Sequence, residues 1–227
     1  MTATRSNRPD GRPAQILEAT CRVVVRLGAQ NTRVEDIARE AGVSTGAIHY
    51  HFDVKKDLLL AALRWASERV FARLDAIAAQ DTDALTKLAS LLEVAVPRPG
   101  PAREQYVLWI EFWVQVLHEP ALLADHEAIS ERWRGYYFRI VRDGTASGEL
   151  HPVEAPDEVA ERLSALADGL GFETVIGYRW TSVERMRGLL LRFAAGQLGV
   201  SVDELTARAD RVVGSLATVA SPWPETA

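Results

Sequence analysis

The stretch TRVEDIAREAGVSTGAIHYHF, Thr32 to Phe52, decides how the chain is read. Val34, Ile37, Ala38 and Ala41 recur at the spacing of one helical face. Thr32-Arg33-Val34-Glu35 has the form of a capping box, a hydroxyl and a carboxylate placed to satisfy free amides at a helix start. Gly42 stands where a left-handed residue ends that helix, and Ser44 can cap a new one two residues on. Val43 and Ile48 then occupy the two positions of a hydrophobic staple. Two short helices joined by a turn of about three residues, with Ala38 small enough for a close crossing, predict a helix-turn-helix.

On a helical wheel Ile48 and Phe52 point inward together, Gly46, His49 and Tyr50 point outward, and Thr45 and His51 flank the exposed face. An exposed glycine costs a short helix about 1 kcal/mol relative to alanine, a cost that close approach of another surface would explain. Hydroxyls, imidazoles and a phenol on such a helix suit base edges and phosphates in a DNA major groove. The candidate DNA contacts are therefore Ser44, Thr45, Gly46, His49, Tyr50 and His51. Thr32 and Arg33 join them from the start of the preceding helix, and Lys55, opening the next helix, is placed for a phosphate. The alternative, a polar surface helix with incidental aromatics, leaves the caps, the staple and the glycine without a purpose. His49 and His51 lie two apart and face different ways, so they do not form a metal pair, and the sequence calls for neither metal nor cofactor.

Around this stretch the chain is an ordinary globular one: 227 residues, 48% hydrophobic and 25% charged, enough for one large core or two smaller ones. The single cysteine, Cys21, lies in an apolar helical run and has no partner for an internal disulfide, which fits a reducing cytoplasm. The first fifteen residues lack an apolar core, and no window reaches the roughly 18 apolar residues of a membrane span, so the expectation is a cytoplasmic protein without a membrane partner. The formal net charge of -5 hides an asymmetry. Residues 1–60 hold nine Lys or Arg against seven Asp or Glu, and residues 61–227 hold seventeen against twenty-four. Of the two parts, the N-terminal one can better approach phosphates.

Nearly everything else reads as helix, so the fold expected is all-α: a three-helix helix-turn-helix domain followed by a larger helical domain, to which the family resemblance given below assigns effector binding and dimerisation. The boundaries expected are a flexible arm at 1–10, the DNA-binding domain at 11–60, the larger domain at 61–218 and a tail at 219–227. Helices are predicted at Lys55 to Ala79, Asp83 to Val96, Ala102 to His118, Pro120 to Ala146, Asp157 to Tyr178, Val183 to Gly196 and Val202 to Ala217, with PRPGP (97–101) and SGELHP (147–152) as breaks. YVLWIEFWVQVL, Tyr106 to Leu117, is apolar nearly all round and predicts a helix central to its domain. Glu111 and Gln115, one turn apart within it, and Glu173 beside Phe172 are polar where packing is expected. Aromatic walls with one or two carboxylates suit a cationic ligand, so Trp109, Glu111, Trp113, Gln115, Phe172 and Glu173 are the candidate effector contacts. Plain packing, with Glu111 paired to Arg139 or Arg179, is the alternative.

Val159, Leu163, Leu166, Leu170, Leu189, Leu190 and Phe193, interleaved with Gly169, Gly171 and Gly188, suit a four-helix bundle between two copies, an intramolecular core being the alternative. An enzyme is not expected. No Glu-x-x-His pair for a di-iron bundle occurs, His118, His126 and His151 are scattered, and no glycine-rich phosphate loop is present.

TRVEDIAREAGVSTGAIHYHFDVKKDLL, Thr32 to Leu59, resembles the DNA-binding signature of the TetR family of bacterial transcriptional regulators. The IAxxAGVS core, the HF pair ending the recognition helix and the lysine three residues later all coincide, within a resemblance covering about residues 12–60. His49 stands where an aromatic such as tyrosine is common, and Asp53-Val54 replaces a more usual polar pair. The resemblance implies an all-helical homodimer, usually a repressor, that reads a palindromic operator in double-stranded DNA and binds a small-molecule effector in its larger domain. Trp109 through Arg134, with the DGL and ERMRGLLLRF segments, is similar to the C-terminal domain of the choline-responsive BetI subgroup over about residues 84–195, which directs the effector expectation towards a cation. The rival reading, a regulator controlled by a protein partner or by abundance alone, expects a filled core in place of a pocket.

Overall fold

Local chemistry alone sets out the first helices of the computed structural model, which describes residues 12–218; the expected arm and tail lie outside the described residues. Helix α1 (Arg12–Leu27) turns Ile16, Ala19 and Val23 inward. Helix α2 (Val34–Ala41) turns in Ile37, Ala38 and Ala41 and ends at Gly42, whose φ of 65° is the left-handed conformation a side chain would resist. There the Val43 amide donates to the Ala38 carbonyl at 3.0 Å and the Gly42 amide to that of Arg39 at 3.3 Å. Helix α3 (Thr45–His49) is capped by Ser44, whose hydroxyl accepts from the Ala47 amide at 3.2 Å. Val43 and Phe52 pack against the same cluster as Ile48, as a staple requires. Helix α4 (Lys55–Ala78) adds Leu58 to that cluster.

One expectation is corrected here. The Thr32–Glu35 capping box does not form: Arg33 occupies the N-cap of α2 and makes no side-chain cap bond. The Thr32 hydroxyl turns back instead and donates to the Gly28 carbonyl at 2.8 Å, satisfying an acceptor at the end of α1. Glu35 and Asp36 still place negative charge at the positive end of the α2 dipole.

The chain divides into two compact units, Met1–Glu68 and Arg69–Ala227, the division falling inside α4. The second unit holds α5 (Ala84–Val94), α6 (Pro101–His118), a 3-10 turn at Pro120–Leu122, α7 (Leu123–Ala146), α8 (Pro156–Ile176), α9 (Val183–Leu198) and α10 (Val202–Thr218). No strand occurs among the described residues. The helix buried over most of its length is α5, with Ala84, Leu85 and Leu88 through Glu93 all inside, whereas α6 leaves Val114 exposed and Leu117 80% exposed at its C-terminal end. The expectation that α6 is central all round therefore holds only for its first half. Phe112 and Trp113 beyond it still pack against His126 of α7, and Val114 and Leu117 are the exposed apolar residues of that end.

Glu93, buried on α5, needs partners that restore its lost hydration. It receives Arg98 and, at 2.5 Å, Arg187 from α9, whose guanidinium also reaches Asp210 on α10 at 2.6 Å. Arg208 joins α10 to Asp83, the N-cap of α5. Arg142 on α7 pairs with Asp157 on α8, so these two helices run antiparallel.

Candidate functional site

The first unit carries a surface suited to nucleic acid. Ile48, 1% exposed, anchors α3 on its inner side, while Ser44, Thr45, Gly46, His49, Tyr50 and His51 are all exposed on the outer. Tyr50 is 84% exposed, and its ring meets that of His51 edge-on with centroids 5.0 Å apart. A methyl group on Gly46 would meet only the Ser44 hydroxyl, at 3.8 Å, so nothing among the described residues accounts for that glycine. Arg33 is exposed at the N-cap of α2. Around the helices, Glu40 accepts from Arg22 at 2.9 Å and Arg26 at 3.1 Å, and those hydrogen bonds, Arg22's foremost, hold its carboxyl below the usual range.

Two candidate contacts are placed differently from the sequence expectation. Thr32 is buried at 1% exposure with its hydroxyl on Gly28, so it has no side chain to offer a phosphate. Lys55 is half-buried, and its ammonium donates to three backbone carbonyls of the α1–α2 turn: Ala29 at 3.2 Å, Gln30 at 3.3 Å and Thr32 at 2.9 Å. An ammonium has three donors, and here each has an acceptor. Lys55 thus ties the turn that sets the start of α2.

In the second unit an aromatic chain runs between α6 and α7. Tyr106 meets Trp109, Trp109 meets Trp133, and Trp133 meets Tyr137, each pair edge-on with centroids 5.6 Å apart. All four are buried. The Trp133 indole N–H donates to Asp168 Oδ1 on α8 at 3.1 Å. Burial pushes the Asp168 carboxyl up to about 6, against the opposing pull of the Trp133 bond and of Arg134. Both tyrosine phenols are raised, by burial first and then by the charge of Asp168, which places the carboxylate close to both. Tyr106 also donates to the Ala95 carbonyl at 2.8 Å, and its ring lies where a side chain on Gly171 of α8 would collide with it. At neutral pH this is an ionised, half-buried carboxylate at the side of a buried cluster of rings. Such a place favours an organic cation over an anion or a neutral apolar molecule.

Of the expected effector contacts, Trp109 belongs to this chain of rings. Trp113 is half-buried and edge-on to His126, whose imidazole pKa burial lowers. Glu111, Gln115, Phe172 and Glu173 are half-buried; the backbone carbonyl of Glu173 closes the end of α8 by accepting from Gly177 and Tyr178.

The sequence matches known proteins over both units. Residues 16–62 match the family model of bacterial regulatory proteins of the tetR family, and residues 84–199 match that of the BetI-type transcriptional repressor, C-terminal. The chain belongs to the TetR family. It is a DNA-binding transcriptional regulator whose C-terminal part is of the BetI type. A BetI regulator from Klebsiella pneumoniae is 30% identical over 70% of this chain and 80% of its own. The PksA regulator of Bacillus subtilis is 28% identical over 80% and 87%. Among solved structures, a transcriptional regulator from Saccharomonospora viridis in complex with choline is 36% identical, with a TM-score of 0.78 over 84% of this chain and 98% of that one.

The exposure of the outer face of α3 was legible beforehand. Tyr106, Trp133, Tyr137 and Asp168 were not singled out as site residues. A signal existed: Trp133 and Tyr137 are one turn apart on one face of α7, and Asp168, in ALADGLG, sits in a run otherwise apolar or small. A lone carboxylate in such a run calls for a partner.

Proposed function

We propose that this regulator acts as a homodimeric repressor that is released from a palindromic operator by a small organic cation. The DNA-binding part is assigned to residues 11–60, with Arg33, Ser44, Thr45, Gly46, His49, Tyr50 and His51 as its contacts and Lys55 holding the turn behind them. The effector and dimerisation part is assigned to residues 61–218. Within it Val159, Leu163 and Leu190 are buried in the chain's own core, while Leu166, Leu170, Leu189 and Phe193 stay half-exposed on α8 and α9, available to a second copy.

The observation that carries the effector reading is the Asp168 carboxylate beside Tyr106, Trp109, Trp133 and Tyr137. Ring faces and edges that exclude water, with one counter-charge, are what a quaternary ammonium requires, and each such ring contributes about 0.5–2 kcal/mol. The choline bound to the Saccharomonospora viridis regulator supports a cation of this kind. Glu111, Trp113, Gln115, Phe172 and Glu173 then line the approach or the wall, not the charge-recognising centre.

Release follows from where α7 is held. Next to Trp133 and Tyr137 on this helix are Arg132 and Tyr136, which grip α4: Tyr136 donates to Asp75 at 2.5 Å, Arg132 pairs with Asp75 at 3.0 Å, and the Tyr136 and Phe71 rings stack. A cation that shifts α7 pulls α4, whose first residue, Lys55, holds the α1–α2 turn. The paired recognition helices then no longer match half-sites about one helical turn, roughly 34 Å, apart. Selection of bound fragments from sheared genomic DNA, with and without choline, tests this. The expected result is an enriched palindrome that choline displaces. Absence of any enriched palindrome overturns the operator reading, and an enriched palindrome indifferent to choline and to other quaternary ammonium ions overturns the effector reading.

A further inference from the structure

We infer that the outward face of α3 reads its operator through the C5 methyl groups of thymines, which the bare backbone at Gly46 and the ring of Tyr50 receive. This rests on the reading of that face as the operator contact. Its donors and acceptors set the first limit. Ser44, Thr45 and Tyr50 each offer one hydroxyl, His49 and His51 one imidazole each, and all five residues are exposed. The Ser44 hydroxyl already accepts from the Ala47 amide at 3.2 Å. A guanidinium or a carboxamide can bond two atoms of one guanine or adenine at once, and residues 44–54 carry neither. Single hydrogen bonds from hydroxyls serve phosphates as readily as bases, and phosphates carry no sequence.

What the face offers instead is apolar surface. Tyr50 and Val54 are more exposed than any other large apolar residue described in the first unit. Tyr50 follows Gly46 by one helical turn, its amide donating to the Gly46 carbonyl at 3.0 Å, so both open on the same side. The Tyr50 ring meets the His51 imidazole edge-on and leaves the glycine clear. A Cβ at Gly46 would have only the Ser44 hydroxyl within 4 Å. The helix thus has an outward notch the size of one methyl group, one turn from an exposed aromatic ring. In the major groove the apolar group on a base edge is the thymine methyl; cytosine and the purines have none. A thymine methyl in the notch takes the place that an alanine side chain would fill, and alanine would hold it off. The glycine, which weakens a helix of five residues and which no internal contact requires, thereby gains a use.

The test follows binding of the full-length protein by fluorescence anisotropy of labelled duplexes. It compares the selected operator with copies in which thymines are replaced by deoxyuridine, one position at a time in both half-sites. That replacement deletes the methyl and keeps every hydrogen-bonding atom of the base. At one or two positions it should weaken binding about fourfold per half-site, hence about fifteenfold for the duplex, the worth of one buried methyl group in each. Gly46→Ala should lower affinity for the thymine operator and bring the ratio of thymine to uracil affinities towards one. Thermal melts of this variant should show stability equal to or above that of the parent, since the added methyl meets open space, so the lost preference is not a folding defect. Tyr50→Ala should lower the same ratio. Deoxyuridine tolerated at every position overturns the proposal and leaves the operator reading standing. A deoxyuridine penalty undiminished in both variants overturns the assignment to Gly46 and Tyr50. Selection that yields no operator at all defeats the reading of α3 on which the proposal rests.

Discussion

Asp168→Asn separates what the carboxylate costs the fold from what it gives the ligand. Burial lifts the carboxyl from 3.8 to about 6. Every tenfold change in an acid's dissociation constant is worth about 1.4 kcal/mol, so holding the ionised group costs the ligand-free protein on the order of 3 kcal/mol. The sign is that of a raised acid. Between these two values the folded state keeps a proton the unfolded state has lost, so stability falls as pH rises from about 4 through 6 and the loss is complete above. Asparagine keeps an oxygen for the Trp133 indole and has no charge to bury. Urea denaturation near pH 7.5 is therefore expected to show the variant more stable by up to about 3 kcal/mol, the gain fading as pH falls through about 6 and gone below about 4. Ligand binding goes the other way: choline should raise the melting temperature of the parent and not that of the variant. In the parent, choline affinity should weaken about tenfold per pH unit below 6, as Asp168 takes up its proton. Burial lowers the His126 imidazole, a second titrating group on α7, so the difference between parent and variant, not either curve alone, isolates Asp168. A variant less stable than the parent at neutral pH, or one that choline still stabilises equally, would refute the reasoning.

Three further substitutions probe other parts of the chain. Lys55→Ala removes the ammonium from the Ala29, Gln30 and Thr32 carbonyls and should destabilise the first unit by about 1–3 kcal/mol in denaturant titration. Unchanged stability with a salt slope of DNA binding reduced by about one would instead make Lys55 a phosphate contact. Tyr50→Ala, at a residue 84% exposed, should alter stability by less than about 0.5 kcal/mol while changing the base preference recovered in selection; loss of affinity for all sequences alike would show that Tyr50 reads no base. Tyr136→Phe deletes the hydroxyl that donates to Asp75 and keeps the ring stacked on Phe71. Choline binding measured by fluorescence should persist while choline-driven release from DNA weakens severalfold, and unimpaired release would remove this grip from the mechanism.

The helix-turn-helix was legible in the sequence because its determinants are local. Gly42 ends α2 by its own backbone freedom, Ser44 caps α3 through an amide three residues away, and Val43 with Ile48 and Phe52 meet through spacings of a few residues. The all-helical character and most helix ends followed from the same short-range chemistry. The Thr32 capping box failed for a reason already tertiary in kind: the carbonyl of Gly28, four residues back at the end of α1, competed for the hydroxyl and won. Lys55 looked like a phosphate ligand from its position in the chain, and only the folded turn, 23 to 26 residues earlier, brought three carbonyls to its ammonium. The proposed effector site was least legible. Its carboxylate and its rings come from α6, α7 and α8, and Trp133 and Asp168 are 35 residues apart in the chain. Which segments are helices, where most of them end and which short face of α3 stays exposed could be read from the amino acids in order, since those properties follow from neighbours along the backbone. Which carboxylate faces the rings depended on the packing of three helices, because burial and proximity, unlike periodicity, exist only once distant segments meet.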